Sequence, residues 1–160
     1  MKTLTIIISI LLGVILFMPK ENLFFTLQKE LSKQNIYINT KTSSNLLSLN
    51  LSNSTIFVDK MDLAKIKQTN ILPLIFFNKI ELNKISINFN NLQIKHLNII
   101  YSILDPFKIK IDGNSNFANI TGIINLKNHK LKIYLLNLTN NTIKSFLKKD
   151  KKGYFYVQTF

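Results

Sequence analysis

His96 and His129 are the chain's only imidazoles, and with eight acids and no cysteine they limit its metal-ligating and near-neutral acid–base groups. Chemistry from such groups needs convergence: a histidine beside a carboxylate for proton transfer, or several ligands around a metal. The spacing offers neither. Each histidine falls at a strand turn with no acid or second histidine close by, and reads as an exposed loop residue. Asp59 and Asp62 are the nearest acids of note, and a three-residue separation within a turn is the pattern of a solvated loop. Four glycines, at positions 13, 113, 122 and 153, make no phosphate-cradling loop. Serine and threonine are plentiful but no nucleophile elbow surrounds them. Asn53-Ser54-Thr55 and three similar triplets match glycosylation sequons, as chance allows in an asparagine-rich chain. No catalytic, cofactor-binding or metal-binding residue is assigned, and the chain reads as a non-enzyme without a cofactor.

The elements that would position any site have a period of two. Leu47, Leu49 and Leu51 alternate with Ser48, Asn50 and Ser52, and Ile56 to Val58 follow an interruption at Asn53-Ser54. Residues 63–67 are a short ambiguous element, and residues 71–77, apolar around Pro73, read as a buried connector rather than a central strand. The inward parity shifts at Asn83-Lys84, from Ile80 and Leu82 to Ile85, Ile87 and Phe89, implying a turn or bulge. A second shift at Lys95-His96 separates Leu92 and Ile94 from Leu97 and Ile99. Leu104-Asp105-Pro106 breaks the pattern, Asp112-Gly113-Asn114 is expected to turn the chain, and Lys127 to Lys130 form a hairpin loop. Residues 141–149 suit a short helix with Ile143, Phe146 and Leu147 on one face, and Gly153 precedes a last strand. The fold expected is mainly β with an N-terminal helix (α+β): one transmembrane helix, then a curved antiparallel meander of about eight to ten strands.

The N-terminus supplies the helical part. Residues 4–18, LTIIISILLGVILFM, are uninterrupted by charge, with Leu4, Ile7, Ile8, Leu11, Leu12, Ile15, Leu16 and Phe17 as membrane-anchor residues. As a helix the run reaches about 22 Å, against about 30 Å of hydrocarbon, and Lys2 and Lys20 can snorkel to the headgroups. A cleaved signal would need small residues before the cut, and Leu16-Phe17-Met18-Pro19 has none. Residues 1–19 are therefore read as a signal-anchor and residues 20–160 as a periplasmic β-rich domain. That domain opens with a helix through Pro19 whose apolar stripe is Leu23, Leu27 and Leu31, broadened by Phe24, with Lys29, Lys33 and Gln34 facing away, and it is stopped by Asn35 in a left-handed conformation. Charge does not fix orientation, because Lys20, Lys29 and Lys33 beyond the anchor are offset only by Glu21 and Glu30.

The formal net charge of +13 does not signal nucleic acid. All 21 basic residues are lysine, so the planar bidentate contacts that read phosphate or guanine are missing. Abundant Ile, Asn, Lys and Phe with no Arg is what an AT-rich genome encodes. A modest attraction to anionic headgroups beside the anchor is expected.

The order of elements resembles a known family. An apolar N-terminus feeds a helix, ELSKQNIYIN enters the first strand, and LLSLNLSNSTIFVDKMDLAKI supplies paired strands. ILPLIFFNKIELNKISI, IDGNSNFANITGIINLKNHKLKIYL and GYFYV follow. This plan resembles protein N of bacterial type II secretion systems and, more loosely, AsmA-type envelope proteins. The resemblance implies a single-pass bacterial inner-membrane protein with its C-terminal domain in the periplasm, working as an accessory or assembly component among other envelope or secretion-system proteins. The alternative is a lipid-binding or lipid-transfer module of the AsmA or lipopolysaccharide-export type, with phospholipid or lipopolysaccharide as partner. Its groove would use Ile109, Ile111, Ile133 and Leu135, although alternation reads the same for a groove as for a packed core, and most such positions are expected to be core.

Overall fold

A computed structural model describes residues 2–74, 76–88 and 92–160, with the side chains of Lys2, Leu4 and Ile8 outside that description. Ile75, placed above in the connector, and Phe89, read as inward-facing, also lie outside the described residues. Helices α1 (Lys2–Phe17) and α2 (Lys20–Ser32) precede β1 (Ile36–Ser44), β2 (Leu49–Val58), β3 (Met61–Pro73), β4 (Phe77–Ile87) and β5 (Leu92–Ser102). Then come β6 (Lys108–Ser115), β7 (Asn119–Asn125), β8 (Lys130–Leu136), one-turn α3 (Asn141–Lys144), β9 (Lys148–Asp150) and β10 (Gly153–Thr159). All ten strands form one antiparallel sheet in the order β1-β2-β3-β4-β5-β6-β7-β8-β10-β9, a meander until the last two exchange places.

The helical entry differs from the sequence expectation of one transmembrane helix. Among the described residues no single helix is long and apolar enough to cross a membrane; α1 and α2 meet that test only together, bent by 62°. Pro19 is the reason. Lacking an N–H and held at φ −77° and ψ 75°, it is the N-cap of α2 rather than its first helical residue. Of the expected apolar stripe only the Phe24 side is buried. Leu23 and Leu27 are exposed, and Lys20 and Phe24 are the buried residues of α2. Phe24 packs on Leu49 and Leu51, with Ile38 and Ile71 beside them. Phe24→Ala is expected to lower stability by about 3 kcal/mol, seen as faster hydrogen exchange across α2 and β1. The helix stop is where the sequence put it: Asn35 has a φ of 59°.

Several strands are longer than the pattern suggested. Residues 63–67 and 71–73 are both parts of β3, and Ile71 pairs with Leu49 and Ile80 as a strand residue, not a connector. Pro73 is tolerated because it closes the strand, one residue before Leu74 and Phe77 make the hairpin bond. Asp112, Gly113 and Asn114 do not turn the chain; they lie inside β6, and the turn comes at residues 115–118. Of the helix expected at 141–149, α3 keeps four residues, capped by Asn140, and Lys148 has already entered β9.

The parity shifts have one common cause. Asn53 stands opposite Lys67, Lys67 opposite Lys84, and Lys84 opposite Lys95, because the pairs on either side of this line keep the same register. Along this line each strand carries one residue that breaks alternation. Asn53 and Lys84 do so with φ of 52° and 54°, while register shifts bracket Lys95 in β5 and Thr40 in β1. Since neighbouring strands break together, the ladder survives and the same face stays apolar on both sides. Leu82 with Ile85, and Ile94 with Leu97, accordingly share one cluster. Lys84→Gly should therefore leave stability within about 1 kcal/mol, whereas Lys84→Val should lose roughly 1–2 kcal/mol because a β-branched residue resists positive φ. Urea denaturation of the two variants checks the difference.

Candidate functional site

A sheet with one apolar face ordinarily buries it beneath a second layer. Here that layer is present only in patches. α2 covers the β1–β2 side through Phe24, and the segment after β8 covers part of the opposite half. Between them one apolar row is half-buried: Ile71, Ile80, Ile99, Ile111 and Ile133 lie in successive pairing positions across the sheet, with Gly122 between the last two, while Ala64, Ile66 and Ile85 farther along β3 and β4 are buried. No large side chain among the described residues is fully buried.

The segment after β8 makes the roof. Asn137, at a φ of 54°, turns the chain back over the sheet. Leu138 is buried against Leu92, Phe117 and Ala118, and the Thr139 N–H donates to the Phe117 carbonyl at 2.9 Å. The turn that receives it is braced by Ser115, whose Oγ accepts the Ala118 N–H at 2.8 Å. Asn140 Oδ1 accepts the Ile143 N–H at 3.2 Å, which starts α3 and sets Ile143 and Leu147 against the same cluster. Phe146, largely exposed, stands at the mouth.

Under this roof is a hollow of about 440 Å³ whose floor includes Leu97, Ile111, Ile120, Ile133 and Leu135, with Thr142 and Tyr156 the only lining side chains that carry a polar atom. Its volume lies within the range of small-molecule sites. Three of the four groove residues named from the sequence, Ile111, Ile133 and Leu135, meet there; Ile109 lies on the same face, one row nearer the β5–β6 loop, and outside the hollow. None of the four is buried as a core residue would be. The sequence did not reveal the roof. Its signals were the left-handed tendency of Asn137 and the cap at Asn140, in a stretch that reads first as chance sequons.

The other face is polar. There Lys132 Nζ lies 4.5 Å from the Tyr134 ring centre and 4.4 Å from that of Phe155. Its hydrogen bond with the Tyr134 hydroxyl is the main reason that the Lys132 ammonium sits above its ordinary pKa, partly opposed by desolvation. At Asp150 desolvation pushes the carboxyl up, but the Tyr134 O–H and the Lys152 N–H donate to it and hold it below its ordinary value. A wider hollow of about 690 Å³ beside them is lined by Lys110, Asp112, Lys132 and Lys152 together with the apolar Ile123 and Leu136. Lys132 already has its ring and carboxylate partners, which leaves the apolar hollow as the better candidate.

The residues suspected of chemistry are dispersed. His96 is not a loop residue: it lies within β5, half-buried, with Nδ1 2.7 Å from Asn83 Oδ1. His129 is in the β7–β8 hairpin, edge-on to the Phe160 ring. Asp59 occupies the β2–β3 turn, and Asp62 pairs with Lys65 at 3.3 Å. Of the anchor residues, Ile7, Leu12 and Phe17 are exposed, Leu11 and Leu16 half-buried, and Ile15 buried; the side chains of Leu4 and Ile8 lie outside the described residues. No protein-family model, curated protein or solved structure matches the chain.

Proposed function

We propose that this chain is a non-enzymatic envelope protein, anchored in a bacterial inner membrane with its sheet in the periplasm, that holds an acyl chain of phospholipid or lipopolysaccharide on its apolar face. The observation that carries the reading is the incomplete second layer: α2 and the α3 roof leave an apolar trough between them, with a hollow of about 440 Å³ at its roofed end. An apolar strip of this kind is an unfavourable surface in water and a favourable one for hydrocarbon, at about 25 cal/mol per Å² removed from solvent. Its lining carries no charge that would select a headgroup, so the trough fits chains rather than one lipid species. The exposed apolar α1 supports the membrane location, and the resemblance to AsmA-type proteins supports the envelope setting. Native mass spectrometry of the full chain after mild detergent extraction is expected to show bound lipid. A chain free of lipid in repeated preparations would remove this reading.

A second reading, the accessory role in a type II secretion-like system, draws on a different feature. β1 is a nine-residue edge strand, and an edge strand offers unpaired backbone groups to a partner by strand addition. The opposite edge, β9, has three residues and is rich in lysine, a poor template for pairing. A photo-crosslinker at the exposed Tyr37 is expected to reach another secretion-assembly protein on this reading, and one at Ile123 is not. Identical products at both positions would argue against it.

A further inference from the structure

We infer that the hairpin tips at one end of the sheet form an apolar rim that inserts into the surface of a lipid bilayer, so that the sheet stands end-on over the membrane. The meander fixes which loops share an end. Residues 45–48 lie beyond the pair of Leu49 with Ile71, and residues 74, 76, 103–107 and 126–129, together with the C-terminus, lie at the same end, past the pairs of Pro73 with Asn78 and Tyr101 with Ile109. Water-exposed tips ordinarily carry polar turn residues. These carry Leu46, Leu47, Phe76, Leu104, Phe107 and Phe160, all substantially exposed, Leu104 by 93%. The β2–β3 tip at the other end is Asp59-Lys60.

The apolar helix arrives at that same end. Lys20 Nζ donates to the Leu46 carbonyl at 2.8 Å, fastening the junction of α1 and α2 to the β1–β2 tip. α2 then runs back along the sheet, and α1 meets it at this junction with a bend of 62°. Its 16 residues reach about 24 Å, roughly 6 Å short of the hydrocarbon core. A short span draws its flanking groups toward the bilayer, and the flanking groups here are the rim. Lys127 and Lys130, exposed at this end and in no ion pair among the described residues, can meet anionic headgroups.

The chain has no tryptophan, so single indoles report position directly. Full-length Leu104→Trp, Phe107→Trp and Met61→Trp variants are reconstituted in mixed phosphatidylcholine and phosphatidylglycerol vesicles, with and without brominated acyl chains. Emission from the two rim positions should shift to the blue and fall by roughly half with bromine present, as for rings sunk about 5–10 Å into the interface. Met61→Trp, at the far end, should be unaffected. Unquenched rim indoles, or equal quenching at all three positions, would overturn the inference. Lipid in the trough is a separate question: a quenched rim on a lipid-free chain sinks the trough reading and leaves the docking intact.

Discussion

Ile133→Glu is expected to reduce lipid retention about 100-fold, while Ile123→Glu leaves it unchanged. Both residues lie near one another on adjacent strands β8 and β7, but on opposite faces. Ile133 belongs to the trough row with Ile111, whereas Ile123 pairs with Lys110 and Lys132 on the polar face. In the empty trough a carboxylate at 133 keeps its water, because that face is only half-buried. Beneath an acyl chain it would lose that water without gaining a partner, at a penalty of about 3 kcal/mol, or roughly two powers of ten in affinity. Lipid content by mass spectrometry, with circular dichroism to establish that both variants keep the sheet, decides the matter. Equal loss in both variants would mean that charge alone disturbs the sheet, and equal retention would mean that hydrocarbon does not sit on this face.

The second large effect concerns stability. Gly113→Ala should cost about 2–3 kcal/mol, because a Cβ there would lie 2.7 Å from the His96 carbonyl oxygen and 3.3 Å from the Leu97 Cα. Both are main-chain atoms and cannot swing aside. The same close approach accommodates the irregularity of β5 at Lys95, so the methyl would press on the line of broken alternation itself. Gly13→Ala is the matched comparison: nothing lies within 4 Å of a Cβ at that position, and helix propensity favours alanine by about 1 kcal/mol. Denaturant titration should separate the two by the sum of these effects. A Gly113→Ala midpoint equal to that of the parent would show that the sheet yields here more easily than its geometry implies.

Alternation of apolar and polar residues carried the sheet, because a strand's two faces are written directly in its sequence. Even the breaks at Asn53-Ser54, Asn83-Lys84 and Lys95-His96 were visible, but their meaning was not. One strand read alone shows a shift as a turn or a bulge; only the neighbouring strands reveal that the shifts align and the strand runs on. Pro73 and Gly113 misled for a related reason. Both residue types suit turns, and here one ends a strand while the other admits a close main-chain approach. The helix stripe was legible only in part: Phe24 was read as broadening the face of Leu23, Leu27 and Leu31, and the sheet selects the Phe24 side of it, a contact made at long range. The trough was half legible. Ile111, Ile133 and Leu135 were named from parity, though such positions were expected to be mostly core; whether a face is covered depends on what folds back over it, and the Asn137 turn that brings the roof round has no periodic signature.

The order of the strands also says how such a chain can be assembled. From β1 to β8 every strand pairs with the one made just before it, so no strand waits for a distant segment. Contacts this local favour fast folding, and they suit a polypeptide that emerges from one end: each hairpin finds its template already laid down. Only the final exchange of β9 and β10 departs from this order, and it leaves a three-residue, lysine-rich strand outermost. That exchange covers the first three residues of β10, Gly153 to Phe155, and leaves Tyr156 to Thr159 at the edge. The same arithmetic permits the sheet to gain or lose a hairpin without rethreading, so its width is set by how many hairpins precede the terminal strand.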